Sequence, residues 1–381
     1  MAGSLIFNRL NPKRRRDMKD SKDSYVLQPI PLEQAEKYAH YRDALIEEVN
    51  KRLLGRPDFP KLIGNSTIET MIANHRNHAD FMATVFRFNS FSLLEKTLPW
   101  VYRAYHNQGF SYDYFLVELY TWVDAIKELI PPPVDHILSI YRWMIEQHEN
   151  NISLSQEPAP EWVPEEPNWR NLFTQFFDAL LAGDVVRCLD LANASIHDED
   201  SMLNFFTYVL QPSMSNIGVR WENGIITVAQ EHLASAIVAR VLSSIMVTRF
   251  TPKKEKTGKA VVSAAPNEFH EIGAWMVALT LESDGWDVRY LGANTPRKEL
   301  VDFVRKEKAD LLCISVAMPF NLIWLERIVK DVKSDPNLKH VKVIIGGQAV
   351  LNDPSVVDII GADAFGLDCR DAKLIAKKLI Q

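Results

Sequence analysis

The 381-residue sequence predicts an α plus α/β protein: a helical N-terminal domain, a second helical block, and a C-terminal doubly wound parallel sheet of flavodoxin-like type. Three observations carry this. Apolar residues recur three and four apart up to about residue 250. Pro158, Pro160, Pro164 and Pro167 interrupt that pattern among acidic residues. From residue 259 short apolar runs alternate with amphipathic helices. The length exceeds what one core holds, so two or three domains are expected. With 47% hydrophobic and 24% charged residues the chain has the composition of a globular protein. A net charge of -6 argues against nonspecific nucleic-acid binding. No apolar run is long enough for a bilayer and none reads as a secretory segment, which predicts a cytoplasmic protein with no membrane partner. Cys188, Cys313 and Cys369 are too scattered for a disulfide framework or a thiolate metal site.

In chain order, residues 1–30 read as a disordered tail with a basic cluster, Lys13 to Arg16. Residues 31–156 form the helical domain, with helices expected over 35–54, 67–88, 93–107, 112–130 and 134–150. Arg56-Pro57, Gly64-Asn65, Gly109 and Pro131-Pro132-Pro133 separate them. Residues 157–168 are a semi-extended linker. Residues 169–250 hold further helices over 169–182, 185–194, 198–219 and 227–249, the last opened by the capping pair Thr227 and Gln230. A charged connector, 251–258, leads to the sheet domain 259–381. Its strands are expected over 259–264, 287–291, 309–316, 340–345 and 363–366, and its helices over 271–284, 296–306, 319–334, 354–361 and 370–380.

In such sheets ligands sit beyond the carboxyl ends of the strands. The first of these loops lacks the G-x-G-x-x-G of a dinucleotide site and the acidic pair of a phosphoacceptor domain. It carries Glu268-x-His270-x-x-Gly273 instead. A histidine there can reach a metal while an acid orients its other ring nitrogen, and Gly273 lets a bulky ligand approach the backbone. The third strand ends in Ser315-Val316-Ala317-Met318, the fourth in Gly346-Gly347 and the fifth in Gly366, which together keep a slot open along the sheet edge.

These residues, in this order, resemble the cobalamin-binding domain of corrinoid proteins. The resemblance covers about residues 169–381 and implies that His270 is the lower axial ligand of cobalt, displacing the cofactor's own dimethylbenzimidazole. The nucleotide tail would thread past Ser315, Val316, Met318, Gly346, Gly347 and Gly366. The acid of the motif is usually Asp and is Glu268 here. Residues 169–250 would then cap the cofactor's upper face. Within them, Trp221 followed by Glu231-His232 resembles the CarH-type light-sensing cobalamin proteins. This implies that Trp221 packs over the upper ligand of adenosylcobalamin and that Glu231 and His232 contact its adenosyl side. Those proteins carry histidine directly after the tryptophan, where this chain has Glu222.

The layout as a whole resembles the photocobilins, which implies that residues 31–156 are globin-like and hold biliverdin. The domain offers aromatic residues such as Trp100, Tyr102, Tyr114 and Trp122, histidines including His75, His78, His106, His136 and His148, and arginines including Arg76, Arg87, Arg103 and Arg142. These suit a linear tetrapyrrole, but equally an aromatic core or a haem on His75, His78 or His106. No cysteine precedes Cys188, so a thioether-linked bilin is excluded within this domain.

The expectation is therefore a light sensor and not an enzyme. Breakage of the cobalt–carbon bond of adenosylcobalamin would change domain packing, with a light-dependent homo-oligomer or an unknown protein as partner. The alternative is a corrinoid methyl-carrier protein of a methyltransferase system, in which the Trp221 and Glu231-His232 spacing is not expected. A cobalamin-dependent mutase needs a substrate barrel that residues 31–156 are too short and too helical to supply.

Overall fold

A computed structural model describes residues 27–249 and 257–380. The expected tail up to residue 26 and most of the charged connector lie outside the described residues. The described chain divides into two compact units, residues 27–159 with 222–224, and residues 160–221 with 225–380.

The first unit is helical: α1 Leu32–Leu54, α2 Phe59–Ile63, α3 Ile68–Phe88, α4 Phe91–Asn107, α5 Tyr112–Leu129, α6 Asp135–Glu146 and α7 His148–Gln156. Thr67 and Ser111 accept from the backbone N–H groups of Thr70 and Tyr114 and so start α3 and α5. Helix α1 packs on α3 and α5, and their apolar stripes meet in a core that includes Tyr38, Val49, Met82, Phe86, Trp122 and Ile126. Each such side chain contributes roughly 1.5–3 kcal/mol by burial. The polar atoms carried inward by these aromatic residues find one another. The hydroxyls of Tyr38 and Tyr141 lie 2.9 Å apart, His78 Nε2 is 3.0 Å from the Tyr141 hydroxyl, and His75 Nε2 is 2.8 Å from that of Tyr114. Two short elements escaped the periodicity: α2, and the division of the expected 134–150 helix into α6 and α7.

The second unit begins with α8 Pro167–Leu181, α9 Val185–Ser195, α10 Glu199–Phe205, α11 Gln211–Glu222 and α12 Val228–Arg249. Pro167 occupies the first helical turn of α8, where a missing N–H costs nothing, and Glu166 caps it. The helix expected over 198–219 is broken by a π-helical turn, Phe206–Leu210, just before Pro212. Proline cannot donate to the preceding turn, and the wider turn accommodates this. Phe173, Phe176, Phe205 and Phe206 pack against Ile237, Val241 and Leu242 of α12.

The sheet follows, with β1 Lys259–Ala264, α13 Ile272–Asp284, β2 Asp287–Tyr290, α14 Arg297–Glu307, β3 Leu311–Ser315, α15 Leu322–Ser334, β4 Lys342–Gly346, α16 Gln348–Asn352, α17 Val356–Ile360, β5 Ala364–Gly366 and α18 Cys369–Ile380. All neighbours are parallel, in the order β2-β1-β3-β4-β5. The order reverses between β1 and β3, which places a crevice at the carboxyl ends of those two strands. Short α16 was missed because five residues are too few to establish a period.

Candidate functional site

The crevice opens into a cavity of about 650 Å³ bounded by α11 and α12 on one side and by the strand ends on the other. His270 reaches it from the β1–α13 loop. Its Nδ1 lies 2.5 Å from Glu268 Oε1, and because a carboxylate only accepts, the imidazole donates there. The Nε2 atom is buried and has no hydrogen-bond partner among the described residues.

Glu268 is fully buried. Its Oε2 accepts from the backbone N–H groups of Ala317 at 3.0 Å and Met318 at 2.9 Å, and from Asn321 Nδ2 at 3.2 Å. Burial alone would raise its pKa, but the hydrogen bond and charge of His270 and the Met318 amide hold it below the ordinary value. For His270, burial opposes the charged ring, and the Glu268 carboxylate overrides it and holds the pKa above the ordinary value. A buried imidazole nitrogen left unpaired among the described residues, with its partner nitrogen fixed by a carboxylate, is a donor arrangement able to hold a metal.

Gly273 stands on the wall so that a Cβ there would lie 3.5 Å from Ser315 Oγ. Gly347 has φ +96°, and a Cβ on it would fall 2.3 Å from the Val316 carbonyl oxygen, so no other residue fits this elbow. Ser315, Gly346, Gly347 and Gly366 line the cavity. Val316 and Met318 do not, and act through the backbone: the Val316 N–H donates to the Gly346 carbonyl and that of Met318 to Glu268. From α12, Glu231, His232 and Ser235 line the opposite wall. Glu231 accepts from Ser235 Oγ at 3.0 Å and pairs with His232 Nδ1 at 2.7 Å.

Trp221 is absent from the lining. It lies past the helix end expected at 219 and continues α11, 7% exposed, one turn beyond the cavity residue Gly218. Glu222 is grouped with the helical unit, where it accepts from Arg103, whose guanidinium also donates to the carbonyls of Leu154 and Ser155. Burial raises Glu222 to about 7, against the pull of Arg103. Sequence reasoning missed Asn321, and also Met214, Ser215 and Gly218, which line the cavity from one face of α11. Their three- and four-residue spacing was visible, but the face they present was not.

Residues 258–368 match the family described as B12 binding domain, and residues 172–245 match a second family of the same description. Among curated proteins, monomethylamine corrinoid protein 1 of Methanosarcina acetivorans is 25% identical over 217 residues, covering 56% of this chain and 99% of its own. Dimethylamine corrinoid protein 2 of Methanosarcina mazei is 28% identical over 174 residues, covering 45% of this chain and 79% of its own. Among solved structures, the monomethylamine corrinoid protein of Methanosarcina barkeri aligns at a TM-score of 0.49 and 21% identity, over 55% of this chain and 98% of that one. The methanol:cobalamin methyltransferase complex MtaBC of the same organism aligns at 0.30 and 20%, over 60% and 88%.

The curated relatives overturn the light-sensor expectation. Those reported above are methylamine corrinoid proteins, and the tryptophan on which the light-sensor resemblance turned lies outside the cavity wall. Neither these relatives nor the structure supports the expected biliverdin or light-dependent oligomer. The histidines singled out for a tetrapyrrole are engaged within the helical unit, His75 with Asn50 and Tyr114, His78 with Tyr141, and His148 with Tyr102. The chain carries a cobalamin-binding unit.

Proposed function

We propose that this protein is a corrinoid methyl carrier, the cobalamin-bearing subunit of a methyltransferase system, with methylated amines as the donor class and a methyltransferase as its partner. The observation that carries the reading is 25% identity to a monomethylamine corrinoid protein over 217 residues, 99% of that protein's length. A bound corrinoid supplies a cobalt centre able to accept a methyl group from a donor and release it to an acceptor. His270 would hold the metal through Nε2, and Glu268 would fix the ring and its tautomer. Gly273, Gly346 and Gly347 leave the room a corrinoid needs, while Glu231, His232 and Ser235 face it from the cap. The chain itself turns over no substrate in this role. The three cysteines are free and buried, in keeping with a reducing, cytoplasmic setting. Among the described residues no helix is long and apolar enough to cross a membrane.

The test is chemical methylation of the reconstituted protein. After loading with hydroxocobalamin and anaerobic reduction, iodomethane should convert the protein-bound corrinoid to its methylated form, read in the visible spectrum after gel filtration. Corrinoid that stays unmethylated on the protein, or leaves it on methylation, would rule out a carrier role.

A further inference from the structure

Helix α11 carries two opposed faces. Gln211, Met214, Ser215 and Gly218, spaced three and four apart, line the cavity. With about 3.6 residues per turn, Asn216 and Arg220 stand on the opposite side, and both hold the linker that precedes α8. Asn216 is 1% exposed and spends both ends of its carboxamide on one residue. Its Oδ1 accepts from the Trp162 N–H at 2.9 Å, and its Nδ2 donates to the Trp162 carbonyl at 2.8 Å. Arg220 Nε donates to Glu161 Oε1 at 2.7 Å and Nη2 to Oε2 at 3.2 Å, a fork-to-fork pair. The same guanidinium lies 4.8 Å over the Phe177 ring of α8. Within the helical unit, Asn223 clips Ala159 in the way Asn216 clips Trp162, at 3.0 Å for both bonds. A proline-rich linker stays extended without partners, so this fastening needs another reason.

The helix is also bounded by two weak points. It follows the π-helical turn Phe206–Leu210, carries Pro212 in its first turn, and is followed by the left-handed turn at Gly224. It can therefore shift as a short rod, and the linker is what restrains its outer side. A corrinoid is a rigid macrocycle, and α11 and α12 form the wall opposite the strand ends, so its passage requires that wall to yield. We propose that the linker is a strap that latches α11 in place, and that its release sets how fast the corrinoid enters and leaves. The inference rests on the cobalamin-binding unit and is independent of the methyl-carrier reading.

The experiment mixes hydroxocobalamin with the full-length apoprotein in a stopped-flow spectrometer and follows its loss from the loaded protein in corrinoid-free buffer. Asn216→Ala removes both bonds to Trp162 and leaves the cavity lining untouched. Entry and exit share the barrier that the latch imposes, so both rates should rise by about tenfold or more, while affinity changes by less than about threefold. Faster exit with unchanged entry is the signature of a merely weakened site and overturns the strap, as do parental rates. Should Asn216→Ala fail to fold, Asn223→Ala keeps the Trp162 clip and should raise both rates by about threefold; parental rates there overturn the proposal equally. Hydrogen exchange adds a readout that needs no corrinoid. In either variant the α11 amides should exchange faster while those of α13 keep parental rates, and equal quickening of the two helices overturns a local latch. Failure of the parent to bind hydroxocobalamin refutes the cobalamin-binding unit itself, which is a separable result.

Discussion

Glu268 and His270 show how much a carboxylate contributes when every one of its contacts is a donor. One oxygen accepts from His270 and the other from two backbone amides and Asn321. Replacing it by glutamine directs an amide NH2 group at some of these donors, and charge-assisted hydrogen bonds of this kind are worth about 1.5–3 kcal/mol each. Glu268→Gln should therefore weaken corrinoid affinity by about 10–100-fold, measured by equilibrium titration, and lower the melting temperature of the apoprotein. His270→Ala should change the visible spectrum of whatever corrinoid still binds; a spectrum identical to the parent's would remove His270 from the metal. His270 and Glu268 were legible because both sit within one loop after a strand. Asn321 was not, since it lies 53 residues from Glu268 and only the parallel crossover from β1 to β3 brings it near.

At the scale of elements, alternation of short apolar runs with amphipathic helices made the sheet and its five strands legible, because β1, β3 and β4 are nearly continuous apolar runs too short for a helix. Helix ends in the cap were harder to read. The helix expected over 198–219 stops short of Trp221, whereas α11 runs on through Glu222 and the turn follows at Gly224, with φ +70°. A tryptophan near a helix end carries no mark of which side of that end it occupies. The elbow after β4 is the opposite case, since its paired glycines were visible and the backbone requires one of them. Gly347→Ala should destabilise the protein by more than about 3 kcal/mol, from a backbone conformation only glycine adopts easily and a Cβ driven into the Val316 carbonyl. Thermal unfolding is the measurement, and a parental melting temperature would show that the elbow relaxes at no cost.

Across the whole molecule, the helical unit is where composition decides least. Aromatic residues, histidines and arginines in a helical bundle describe a pigment pocket and an aromatic core equally well, and only packing separates the two. Here they form a core that also buries Glu118, whose carboxyl accepts from Trp122 Nε1 at 3.1 Å and whose pKa burial raises from 4.5 to about 7. The sign of its effect follows from linkage. Between these two values the folded state holds a proton that the unfolded chain has lost, so the stability this group supports is complete below 4.5 and is lost as pH rises through about 7. His75 and His78 act in the other direction. Burial lowers both from 6.5 to about 3, and their effect makes the fold more stable as pH rises across that interval. The wild-type profile therefore mixes opposing slopes, and the difference between wild type and Glu118→Gln isolates one of them. The glutamine keeps an oxygen for Trp122 and cannot ionise. It should match the parent near pH 4.5 and exceed it by roughly 3 kcal/mol above pH 7.5. Hydrogen exchange of the α5 amides in the full chain reads this locally, and a difference that stays constant from pH 5 to 8 would mean that Glu118 titrates as an ordinary surface carboxylate.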